Sequence, residues 1–323
     1  MADSATPGLT RRTLLTGAAA LLAAAAAGTA APRPARAAAL PQIRAAASGW
    51  TGRDGELLVL TADPVTETDY ALHLLEAAGP DAPAELGPPL PIPLPAAFHP
   101  HSMAARGAAL WVTGTAELDH DRARPALVRI EDGAAAYTTL PVPQEIRSGI
   151  ATGVATFGAT GLAVVLEGCS DPHSAVVTRS HLAVSPDGGR TWTQQRLASG
   201  LGEGFGTVLT GTDRGLFAAT ADRDGAQTVH TGAPGARLGA VPAVAGAGRP
   251  MAAVTEADGV SVFSDRDGTV ARARYTADGA PLGAADEERA AECACAGEVF
   301  AVPGSPGRWL ETDGTTIHIR GNR

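Results

Sequence analysis

Lysine is absent: all 25 basic residues of the 323-residue chain are arginine, set against 34 Asp and Glu. The net charge of −9, without a basic stripe, argues against a nucleic-acid partner or an anionic membrane surface, because both need clustered positive charge. Beyond the N-terminal segment no stretch holds the 18 or more unbroken apolar residues of a membrane span. Long segments of helical period are missing too, since 39 Gly and 24 Pro punctuate the chain. No Gly-x-Gly-x-x-Gly opens a helix, and Gly204-Phe205-Gly206 enters a strand pattern instead, so a phosphate cradle is not supported. Ser102 follows His101 and Ser174 follows His173, but Gly-x-Ser-x-Gly is absent and no Ser-His-Asp arrangement can be defended. Cysteine is scarce. Cys293 and Cys295 stand two apart, strained for a mutual disulfide and unlike C-x-x-C metal spacing. A bridge from Cys169 to either of them and buried thiols are the open alternatives.

What is present begins with Thr10-Arg11-Arg12-Thr13-Leu14-Leu15, an Ala-rich run from Leu14 to Ala27, and Ala35-Arg36-Ala37. Paired arginines, an apolar stretch and an A-x-A cut, in that order, make residues 1–37 an expected twin-arginine signal peptide. No cysteine stands at the cut for lipid attachment, so a secreted product free of the membrane is expected. Cleavage removes four Arg and one Asp and leaves 21 Arg against 33 acidic residues, a net charge of −12. Arginine without lysine, with abundant Ala, Gly and Pro, is what GC-rich coding gives, and an actinobacterial source is expected.

The remaining chain repeats. A glycine just before a short apolar run precedes Leu57, Leu110, Leu162, Leu216, Val260 and Val299, a period that suits propeller blades. Tight-turn signals follow at Gly79-Pro80-Asp81, Asp132-Gly133, Asp187-Gly188, Gly232 to Gly235, Asp278-Gly279 and Asp313-Gly314, where φ > 0 is wanted between apolar strands. These units predict an all-β fold of six four-stranded meanders: a six-bladed β-propeller, with seven blades as the alternative. The blades are expected near 41–93, 97–144, 148–200, 203–246, 247–286 and 287–323, as a single domain over 38–323 and a monomer.

One turn is more specific. Ser185-Pro186-Asp187-Gly188-Gly189-Arg190-Thr191-Trp192 reads S-x-D-x-G-x-T-W, with Ser185, Asp187, Gly189, Thr191 and Trp192 as its fixed positions. It resembles the Asp box of the BNR-repeat, sialidase-like β-propellers, which include sialidases and many proteins without known catalysis. The resemblance implies a structural hairpin tip, joining the third and fourth strands of the third unit. Such turns lie at the end of a propeller opposite the longer connections, and long loops on a rigid scaffold carry function.

Three readings of that loop face compete. The resemblance implies a glycoside hydrolase if Arg44, Arg147 and Arg249, which open the first strands of alternate blades, grip a carboxylate, with Glu145, Glu203 and Glu288 nearby. Against it, Ile43-Arg44-Ala45 replaces the family's Arg-Ile-Pro, and none of Tyr70, Tyr137 and Tyr275 lies in the last unit, where the family places its nucleophile. The second reading is metal binding: His99, His101 and Met103 at alternate positions would share one face of a strand, a ligand set for copper or zinc. Asp222-Arg-Asp-Gly225 and Asp265-Arg-Asp-Gly268 are too short to hold calcium and read as turns. The third, favoured reading needs no cofactor: a non-catalytic propeller that binds a protein, glycan or small ligand.

Overall fold

Each glycine-plus-apolar unit folds into an antiparallel meander. The structure, a computed structural model, describes residues 41–50, 56–77, 82–119, 122–172, 176–201, 206–233, 235–242, 247–283, 286–287 and 297–321. Residues 39–323 form one compact unit. The first meander is β1 (Gln42–Ser48), β2 (Leu57–Ala62), β3 (Tyr70–Ala77) and β4 (Ala84–Leu86). The second is β5 (Phe98–Arg106), β6 (Ala109–Asp119), β7 (Arg122–Glu131) and β8 (Ala134–Thr138). The third is β9 (Ser148–Phe157), β10 (Gly161–Cys169), β11 (Arg179–Ser185) and β12 (Thr193–Ser199). The fourth is β13 (Thr207–Thr212), β14 (Gly215–Ala221), β15 (Gln227–Gly232) and β16 (Gly239–Pro242). The fifth is β17 (Arg249–Glu256), β18 (Gly259–Arg266), β19 (Thr269–Tyr275) and β20 (Asp286–Glu287), and the last is β21 (Glu298–Ala301), β22 (Arg308–Thr312) and β23 (Ile317–Gly321). The first strands β1, β5, β9, β13, β17 and β21 neighbour one another in that order, and β21 returns to β1. The fold is the expected six-bladed β-propeller.

Blade count follows from packing. Among the described residues six buried apolar clusters occur, one between each adjacent pair of blades. Strand β10 shows how: Leu162, Val164 and Leu166 pack towards the second blade, Ala163 and Val165 towards the fourth. Because both faces are covered, the strand reads as a continuous apolar run rather than an alternation. Burial of each such Leu or Val contributes about 1.5–3 kcal/mol.

The sixth unit corrects the sequence reading. Val299 lies in the innermost strand, β21, and not in a second strand. The second strand is β22, preceded by Gly307 at φ 72° as Gly107 precedes β6 at φ 55°. Two glycines ahead of apolar runs, ten residues apart, allowed either frame. Asp313-Gly314 therefore joins the second and third strands and lies on the loop face. The ring closes where β4 meets β23 through an Ala84–Ile317 bridge. Ser48 adds its N–H and hydroxyl, donated to the Pro303 carbonyl at 3.0 and 3.2 Å.

The Ser185–Trp192 turn is a network of local bonds. Asp187 Oδ1 accepts the amides of Arg190 and Thr191 at 3.1 and 2.8 Å, and Oδ2 accepts the Thr191 hydroxyl at 2.7 Å. Ser185 donates to Asp187 at 2.8 Å and accepts the Gly189 amide at 2.7 Å. The Thr191 amide and hydroxyl bonds pull the Asp187 carboxyl down to about 2, from 3.8. That carboxylate therefore stabilises the fold above pH about 4, and its contribution is lost as pH falls through about 2. In melts across pH 2–7, Asp187→Asn should lower Tm at neutral pH, with a difference from wild type that shrinks below pH about 3. At the closure, Gly304 sits at φ 88°, and a Cβ there would lie 2.9 Å from Ser48 Oγ. Gly304→Ala is expected to cost about 1–3 kcal/mol in denaturant unfolding, more than Gly107→Ala, where the added methyl meets open space.

Candidate functional site

All six first strands enter the channel from the loop face, so their leading residues ring one mouth. Behind it lies a cavity of about 280 Å³ to which every blade contributes. Its polar lining is Arg44, His101, Ser102, Thr152, Thr207 and Arg249; the rest is small or apolar, including Val154, Leu209, Ala253 and Phe300. Among the described residues no acid lines it. A second chamber of about 190 Å³ shares Leu209, Ala253, Ala301 and Pro303 with the first and continues towards the opposite end.

Two of the three predicted arginines, Arg44 and Arg249, line this cavity. Arg44 Nη2 lies 3.9 Å from Glu67 at the rim, while its Nε is buried without a hydrogen-bond partner. Arg249 Nη2 lies 3.6 Å from Asp265. Burial, with the Arg44 charge acting the same way, holds His101 below the usual imidazole range and so keeps it neutral at pH 7. Burial pushes the Glu298 carboxyl up, and Arg44 opposes it. Arg147 is exposed and does not line the cavity. Glu145 is engaged elsewhere, on the third blade, 2.6 Å from His181 Nε2 and 3.1 Å from Arg179 Nη1. Glu203 and Glu288 lie outside the described residues, as do residues 1–37, Cys293 and Cys295. Cys169 is buried at the end of β10.

The His99–His101–Met103 trio is divided. A bulge between Pro100 and Ser102 breaks the alternation of β5, and Met103 is fully buried in the apolar cluster between the first two blades. His99 bonds Tyr70 Oη through Nδ1 at 3.1 Å and faces Glu117 through Nε2 at 3.5 Å, while His101 alone of the three lines the cavity. Strict period-2 counting cannot see a bulge. Among the described residues no group of three or more His, Cys, Asp and Glu is placed to hold a metal ion. Tyr275 is buried, its hydroxyl donated to Gln227 at 3.2 Å, and Tyr137 packs edge-on against Phe98.

One residue escaped the sequence reading. Glu167 ends the apolar run of β10 and is fully buried at the boundary of the third and fourth blades. Its Oε1 accepts the Gly206 amide at 3.3 Å. Burial raises the carboxyl to about 7, against the opposing pull of the Thr207 hydroxyl, the Gly206 amide and the Thr152 hydroxyl. Thr152 and Thr207 also line the cavity, so Glu167 stands directly behind its wall. The signal was available: an acid inside a strand buried on both faces has no solvent side to turn to.

No protein-family model matches the sequence, and no curated protein is significantly similar to it. Solved structures do share the fold. A fungal lectin from Aleuria aurantia, described as a six-bladed β-propeller with a fucose recognition mode, is 14% identical with a TM-score of 0.51, over 87% of this chain and 95% of its own. A glucose dehydrogenase is 11% identical with a TM-score of 0.55, over 87% and 96%. A DUF4623 family protein from Bacteroides eggerthii is 10% identical with a TM-score of 0.51, over 86% and 71%. At such identities the likeness establishes the β-propeller alone, a scaffold that here hosts both a lectin and an enzyme.

Because Glu167 has a raised folded-state value, its ionisation opposes folding: the associated stability is intact below pH about 4.5 and falls until pH about 7. Across that window the loss is on the order of 3 kcal/mol. Glu167→Gln, which cannot ionise, should gain stability relative to wild type as pH rises from 5 to 8 in thermal melts. A difference constant across that range would rule out Glu167 as the titrating group.

Proposed function

We propose that this chain is an exported, non-catalytic β-propeller that recognises a ligand at the loop-face mouth of its channel. The observation that carries the reading is the convergence of Arg44, Arg249 and a neutral His101 on one cavity that has no acid among its described lining residues. Arginine presents a fixed fork of donors suited to oxygen-rich groups, and a concave, mostly apolar site with a few placed polar groups is the usual form of a small-ligand site. Kinship with the Asp-box propellers is supported by the Ser185–Trp192 bonding pattern. Secretion by the twin-arginine route is supported by the Arg11-Arg12 motif and the Ala35-Arg36-Ala37 cut. The fungal lectin's recognition of fucose makes a glycan terminus the first class to screen, beside small anions.

The test is a thermal-shift screen of purified protein against mono- and oligosaccharides and small organic anions, since a ligand of the native state raises Tm. A hit should weaken roughly tenfold or more in Arg44→Gln and in Arg249→Gln, as expected for loss of a charged hydrogen bond. A ligand whose affinity neither substitution alters binds elsewhere and removes the mouth from consideration.

A further inference from the structure

Resting on the mouth as the ligand site, we propose that the channel takes a small amphiphilic monoanion: a carboxylate head held between Arg44 and Arg249, with an apolar body directed down the axis. The lining divides accordingly. Among the described lining residues the charged side chains are Arg44 and Arg249, and the imidazole of His101 is held neutral. Among the described residues the ion pairs of these arginines are long, Glu67 at 3.9 Å from Arg44 and Asp265 at 3.6 Å from Arg249. Both separations exceed a charged hydrogen bond, so neither saturates its arginine. Arg44 Nε, buried without a partner, gives one donor for which the described residues supply no acceptor, and such a group costs free energy until something accepts from it.

Below the arginines the character changes. Val154, Leu209, Ala253 and Ala301 face the axis, and the shared lining carries the apolar path into the second chamber. A sugar ring there would leave hydroxyls against methyl groups with few partners, which is unfavourable. A short aliphatic chain or a single aromatic ring suits both the lining and a first chamber of about 280 Å³, near the lower end of ligand pockets.

The experiment is a titration series on the wild-type full chain by calorimetry: acetate, butanoate, hexanoate, octanoate and benzoate, with hexanol as the neutral control. Affinity should rise about three- to fourfold per added methylene and level off once the chamber is filled. Hexanol should not bind measurably, and Arg44→Gln and Arg249→Gln should each weaken hexanoate roughly tenfold or more. Affinity that is flat from acetate to octanoate, equal binding of hexanol, or hexanoate binding untouched by both variants would each overturn the proposal. If the anions fail but a saccharide binds in an arginine-dependent way, the amphiphilic-anion assignment falls while the mouth remains the site. Arginine-independent binding of every ligand removes both.

Discussion

The structure depends on one constraint: most of its inner strands are packed on both faces, each against a neighbouring blade. A strand in that position can carry almost no polar side chain, and near the axis it can carry little volume either, because six first strands converge there. The residues obey both demands. Ala45, Ala46 and Ala47 in β1, Ala104 and Ala105 in β5, and Ala252 and Ala253 in β17 are all nearly or fully buried. The chain's abundance of alanine and its 4% aromatic content are thus partly a consequence of geometry. Small residues at the axis leave space, and that space is the cavity.

Against this background the polar exceptions stand out. Glu167, His101 and Arg44 each set an ionisable group within or beside a packed interface, and each carries the signature of that placement: a raised carboxyl, a depressed imidazole, a guanidinium nitrogen without a partner. A fold selected only for stability gains from apolar replacements at such positions. These three lie at the cavity lining or directly behind it, whereas the buried His181 and His230 belong to the blades away from it.

Much of the fold was legible because two-sided burial writes a simple code: an apolar run of five or six residues, a glycine before it and an Asp-Gly turn nearby. The code is weakest where a glycine precedes two consecutive strands, and in the sixth unit it fits β21 as well as β22. The site was half legible. Arg44 and Arg249 were visible as polar residues opening first strands, but Arg147, at the corresponding point of the third blade, points to solvent. The bulge at His101 shifted Met103 into the core, and no period count registers a bulge. Glu167 was hidden only because an acid is ordinarily assigned to a loop.

Net charge proved a poor guide to the site, for a physical reason. Four acidic residues of the loop face are consumed by their own backbone. Asp63 accepts the amides of Val65 and Thr66, Asp222 those of Asp224 and Ala226, Asp265 that of Gly268, and Asp313 those of Thr315 and Thr316. Four turns between second and third strands thus use the same device, a carboxylate folded back on amides two to four residues on. Turned towards their own turns, these carboxylates stay out of the channel lining, while Arg44 and Arg249 open strands whose side chains must point along or into it. Among the described residues, an acidic chain thus spends four of its loop-face acids on building turns, while Arg44 and Arg249 line the cavity.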